Sequence, residues 1–174
     1  DAFPIAAALK QAGVPFGVES DQDLLGDPDL RKLIKLFRAV DAFGDQAAFI
    51  EALHIDFLGV PPLDIYKLAA SAGRDRKSAY DIARSPDSLT RIGCEAVERI
   101  SELYCTFAGW ATGAKNQPLP DLVEWVIRES GFLAHIMSGP DPVGRLEPLN
   151  AFFDEVQELM EAHRDYQLHD LIRY

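Results

Sequence analysis

From Ser85 onward an apolar side chain recurs every third or fourth position, at Leu89, Ile92, Ala96, Ile100, Leu103, Phe107 and Trp110. That spacing lays one continuous stripe along an α-helix and does not fit the two-residue alternation of a half-buried strand. A stripe about seven turns long must be covered along its whole length, so the chain around it has to supply partner helices. The spacing therefore predicts the central helix of a bundle, opened by Ser85 as N-cap with Pro86 in the first turn.

The partners are legible by the same rule. Asp27 reads as an N-cap with Pro28 at the first helical position, and Leu30, Leu33, Ile34, Phe37 and Val40 form the apolar face that follows. Arg31, Lys35 and Arg38 line the other side, a row that a solvated helix face explains by itself. Asp45 caps a shorter segment with Phe49, Ile50 and Leu53, ending near Phe57. Pro62 begins the next helix, and Gly73 is expected to terminate it. Beyond the turn GAKNQPLP, a helix from Asp121 to Ser130 turns Leu122, Trp125 and Val126 inward, and Gly131 ends or kinks it. The loop GPDPVG then leads to a last long helix from about Arg145, with Leu149, Phe152, Phe153, Val156, Leu159 and Met160 apolar. Near the N-terminus, Pro4 to Ala12 reads as a short helix stopped by Gly13, and Val14 to Glu19 as a brief strand. The class is all-α, an irregular helical bundle with one short strand near the N-terminus.

Charge is uneven along the chain. Residues 1–26 carry a net −3, residues 27–92 balance ten basic against ten acidic side chains, and residues 93–174 carry −8. An acidic surface repels phosphate, so any nucleic-acid contact is expected between residues 27 and 92. No apolar run reaches the length of a membrane span. Cys94 and Cys105, placed on one helix about 16 Å apart, are too distant for a disulfide. Two buried thiols without a disulfide framework suit a reducing cytoplasm. His163 and His169, about 240° apart around a helix, do not converge on a metal. Both ends read as cut from something longer.

The richest segment for function is Leu58-Gly59-Val60-Pro61-Pro62-Leu63-Asp64-Ile65-Tyr66-Lys67-Leu68. A tight turn at a helix N-terminus presents backbone N–H groups to an anion, and Lys67 one turn on adds charge. Arg74, Arg76 and Lys77 extend the basic patch. A proline-stopped turn packed between two helices, with no ligand, accounts for the same residues.

Together with GVPFGVESDQDLLGDPDLRKLIKLFRAVDAF upstream, this segment resembles the UvrD/Rep/PcrA branch of superfamily 1 DNA helicases, where the chain leaves the second RecA-like domain and enters the inserted helical subdomain called 2B. LGVPPLDIYKL is similar to the hairpin of helix-hairpin-helix elements, with Pro61 in place of the usual second glycine and so one donor fewer. DLVEWVIRESGFLAHI and RLEPLNAFFDEVQEL resemble later 2B helices, with Phe132 for a tyrosine and Pro148 for an asparagine. The resemblance implies that residues 1–20 edge the second RecA-like domain and residues 21–174 are a 2B-type insertion, hinged at Ser20 to Leu25 and just beyond Tyr174. It implies a parent that is an ATP-dependent 3′–5′ DNA helicase of repair or replication restart, using ATP and magnesium. Duplex or forked DNA and the parent's own RecA-like domains are the implied partners, with Gly59, Val60, Pro62, Lys67, Arg74, Arg76 and Lys77 touching DNA. This chain lacks the phosphate loop and the acidic strand end, so no cofactor and no catalysis are expected of it. Two other readings stand beside this one: a freestanding helical protein-interaction module, and the same insertion within a helicase-nuclease subunit.

Overall fold

The computed structural model describes residues 26–163 and 165–173. The helix expected at Pro4 to Ala12, the strand at Val14 to Glu19 and the hinge at Ser20 to Leu25 lie outside the described residues. Within them the chain forms ten α-helices and no strand, as the periodicity requires.

Helix α1 (Pro28–Asp41) is the hub. Asp27 accepts from the amides of Asp29 and Leu30 at 2.9 and 2.8 Å, and Pro28 stands in the first turn. Around α1 pack α2 (Gln46–Leu53), α6 (Val97–Gly113), α9 (Pro142–Ala162) and α10 (Leu168–Arg173). A 3₁₀ turn (Asp56–Leu58) leads from α2 towards α3 (Pro62–Asp75). The short helices α4 (Ala79–Ala83) and α5 (Pro86–Arg91) connect α3 to α6, and α7 (Leu119–Glu129) and α8 (Phe132–Ser138) connect α6 to α9. Trp110, Phe37, Phe49, Phe107 and Phe132 are fully buried in one core. Their rings meet in edge and stacked pairs, Phe49 with Tyr80 at 4.5 Å and Phe107 with Trp110 at 5.3 Å between centroids.

Five expectations need correction. The helix capped by Asp45 ends at Leu53, and Phe57 lies in the separate 3₁₀ turn that follows. The long helix from Ser85 is two helices. Gly93 adopts φ +77°, its amide and that of Cys94 turn back onto the carbonyls of Thr90 and Leu89, and this left-handed closure ends α5. Cys94 therefore sits in a turn and is buried, while Cys105 is exposed on α6, so only one of the two thiols is a core residue. Gly73 does not stop α3, which runs on to Asp75 and closes on Arg76 at φ +51°. The two later helices start early, α7 at Leu119 after Pro118 and α9 at Pro142 after Asp141, whose carboxylate accepts from the Gly144 amide at 3.2 Å. In each case a proline that the sequence pattern puts in a loop occupies the cap or first turn of a helix. Trp125, Phe153 and Met160 are partly buried against the core, and Ile34 is half-buried.

Candidate nucleic-acid interface

Leu58 closes the 3₁₀ turn, and Gly59 follows at φ +70° with its amide on the Asp56 carbonyl at 3.1 Å. A Cβ added to Gly59 would meet nothing within 4 Å. The glycine is thus required by the backbone angle and not by space. Val60 is buried, Pro61 caps α3 in an extended conformation, and exposed Pro62 takes its first position. The amides of Asp64 and Ile65 bond the Pro61 carbonyl at 2.9 and 3.2 Å. With two prolines lacking N–H, the amides this turn can offer an anion are those of Val60 and Leu63.

What holds the hairpin is a buried carboxylate that the sequence pattern does not single out. Asp64 is 1% exposed. Its Oδ2 accepts from the amides of Glu95 and Ala96 at 2.8 and 2.7 Å, and so caps α6 from across the fold. Burial acts to raise its carboxyl, but the Ala96 and Glu95 amides and the Lys67 ammonium outweigh it and hold the group below its ordinary range. Arg99 completes the weld, its Nε donating to the Leu58 carbonyl at 2.7 Å. The sequence signal for both is weak, because the pattern does not show the break before α6 and so shows no free helix end to be capped.

Lys67 is drawn into the same weld. Its ammonium reaches Asp64 Oδ1 at 3.4 Å and donates to the Gly93 carbonyl. The other basic residues stand apart from it. Arg74 pairs with Asp75 at 3.2 Å on the surface, and Arg76 and Lys77 are exposed just past the end of α3. Pro62 and Arg74 are twelve helical positions apart, about 18 Å along the axis. Gly59, Val60, Pro62 and Lys67 thus gather at one end of α3, and Arg74, Arg76 and Lys77 at the other. At the hairpin end the outward face carries Leu63 and Tyr66, 58% and 69% exposed.

Behind the hairpin a second polar cluster ties the halves of the domain together. Arg145 of α9 donates from Nε to Asp29 Oδ2 at 2.7 Å and from Nη1 to the His135 and Ile136 carbonyls of α8. Lys32 bonds Asp56 Oδ2 at 2.8 Å, beside the hairpin, with Asp29 Oδ1 3.6 Å away and His135 Nε2 at 2.9 Å. The Arg145 bond is the chief cause holding the Asp29 carboxyl low, and the Lys32 bond does the same for Asp56.

Gly113 is buried in the last turn of α6, and a Cβ there would lie 2.4 Å from Trp125 Cζ3. His163, just past the end of α9, stacks on Tyr166 of the following loop, while His169 of α10 bonds Asp41 of α1 at 3.1 Å. Among the described residues no helix is long and apolar enough to cross a membrane.

No family profile matches the chain. Over 156 residues, 88% of its length, it is 24% identical to an ATP-dependent helicase/nuclease subunit of Bacillus cytotoxicus, and it spans 12% of that protein. A continuous match of that extent leaves about twenty residues outside, so it includes α1 to α8 and the hairpin wherever it begins. The likeness is to a helicase-related protein and runs through the fold, not through one motif.

Proposed function

We propose that this chain is a DNA-contacting helical insertion of the 2B type, working within an ATP-dependent helicase whose other domains bind ATP and magnesium and perform the hydrolysis. The observation that carries this reading is the continuous likeness to a helicase/nuclease protein, in a chain whose hairpin, turned left-handed at exposed Gly59, opens a helix with a basic far end. The name of that relative favours a helicase-nuclease host over a free-standing helicase. The insertion's part is to hold duplex or forked DNA near the motor and to bias unwinding.

Fluorescence anisotropy of the 174-residue chain on labelled forked DNA tests this. Arg74, Arg76 and Lys77 supply about three phosphate contacts, so log affinity against log salt falls with a slope of about −3. Changing all three to Glu abolishes binding. Absence of binding at low salt, or binding indifferent to those changes, overturns the reading. In that event the acidic second half, where Leu133, Met137 and Val143 are exposed near the α8–α9 turn, favours a protein-interaction module.

A further inference from the structure

The outward face of α3 joins two kinds of chemistry. At 100° per residue, Leu63, Tyr66, Ala70, Gly73 and Arg74 fall within one arc of about 100°, and all five are exposed. Leu63 and Tyr66 are large and more than half exposed, whereas the tyrosine and phenylalanine rings around Tyr80 pack against one another. The basic residues Arg74, Arg76 and Lys77 lie further along the same helix and just past its end. The face is therefore apolar and aromatic at the hairpin end and cationic at the other.

We infer that this face reads the junction between single and double strand, with the Tyr66 ring stacking on the first unpaired base, Leu63 wedged beside it, and Arg74, Arg76 and Lys77 on the backbone of the adjoining duplex. This rests on the DNA-contacting reading above and makes its substrate a fork and not uniform duplex. Every base has a π-face for an aromatic ring to meet, and apolar wedges enter base steps already weakened at an end. The register agrees. Tyr66 and Arg74 are eight residues apart, about 12 Å along the helix, and duplex DNA presents a phosphate about every 3.4 Å of axis per strand. With Tyr66 at the junction, the cationic end reaches phosphates about three to four base pairs into the duplex. Basic side chains at that end complement a polyanion and argue against an apolar protein covering the whole face.

Affinities for a fork and for a blunt duplex of the same sequence, with 2-aminopurine at the first unpaired position of the fork, decide the matter. The unmodified chain binds the fork at least about fivefold more tightly, the gain expected from one stacked base, and quenches the 2-aminopurine. Tyr66→Ala removes the preference and the quenching while leaving blunt-duplex affinity within about twofold, since the phosphate contacts are untouched. Tyr66→Phe keeps both. Tyr66 is 69% exposed, so the variants keep the fold, which circular dichroism checks. Equal binding of fork and blunt duplex, or a preference that survives Tyr66→Ala, overturns the inference while leaving the DNA-contacting reading intact. Failure to bind either DNA removes both. Dimers in sedimentation that Tyr66→Ala dissociates would assign the face to a second copy of the chain and likewise overturn it.

Discussion

Replacing Asp64 with Asn isolates the carboxylate that fastens the hairpin helix to α6. Asparagine is nearly isosteric and keeps an oxygen where Oδ2 accepts from Glu95 and Ala96, at 2.8 and 2.7 Å, but it loses the charge. Hydrogen bonds to a charged group contribute about 1.5–3 kcal/mol against about 0.5–1.5 for neutral pairs. Weakening two of them costs about 2–3 kcal/mol. Lys67 loses its counter-charge as well, yet its side chain is one quarter exposed and regains water, so the net deficit is about 2 kcal/mol. In urea this appears as a lower midpoint at unchanged slope, and on heating as a fall of about 4–8 °C.

The pH dependence gives the sharper check. Asp64 is held below its ordinary value of 3.8, so its contribution is fully present above that pH and disappears as the pH falls through the folded value. The Asn variant should therefore trail the unmodified protein by the full amount from about pH 7 down to about pH 5, and the gap should begin to close only below about pH 4, as the pH falls towards the folded value. A variant within about 0.5 kcal/mol of the parent at neutral pH, or a deficit that stays constant into acid, would show that the charge of Asp64 does not hold the hairpin.

Gly113→Ala should lower the melting temperature through a loss of about 1–3 kcal/mol, because the new Cβ meets Trp125 Cζ3 at 2.4 Å, and Trp125→Leu in the same chain should restore part of it. Arg145→Gln takes from the Asp29 carboxylate its shortest ion-pair contact while leaving Lys32 and His135 beside it, and urea unfolding should register a lower midpoint, whereas Arg128→Gln at the exposed pair with Glu124 should cost under about 0.5 kcal/mol. A thiol reagent at about pH 8 should modify exposed Cys105 rapidly and spare Cys94, which burial pushes up to about 11, until denaturant opens the core.

The helical class, the Asp27 and Asp45 caps and the apolar faces of α1, α6 and α9 are readable because each rests on neighbours within one or two turns. What escapes is decided across the chain. Leu89, Ile92, Ala96 and Ile100 keep helical spacing, so the pattern cannot show that Gly93 turns left-handed or that a carboxylate about thirty residues away takes the amides of Glu95 and Ala96. Lys67 shows the same limit: the sequence displays a cation beside a hairpin, and only the fold shows that cation engaged by Asp64 and the Gly93 carbonyl. The prolines before α7 and α9 are legible as punctuation but ambiguous in sense, since Pro opens a helix as readily as it ends one. Tyr66 carries no signal at all, because an exposed aromatic becomes conspicuous only when its burial is known.

The hairpin is anchored from two sides, and this shapes what the domain can do under load. Towards α6 it is held by Asp64 and Arg99. Towards α1, α8 and α9 it is held through Asp56, Lys32, Asp29 and Arg145. A ligand pulling on Gly59 to Pro62 therefore pulls on four helices that share one core, and local opening requires several charge-assisted bonds to break together. The Asp64 bonds lie out of water, where screening by salt is weak, whereas the Lys32–Asp56 bond is exposed and weakens as salt rises. The hairpin consequently moves with the body of the domain and does not flex as a separate lid. On the function proposed above, DNA binding at the α3 face would alter a host motor through reorientation of the domain as a whole, the hinge class of motion, and not through a rearrangement inside it.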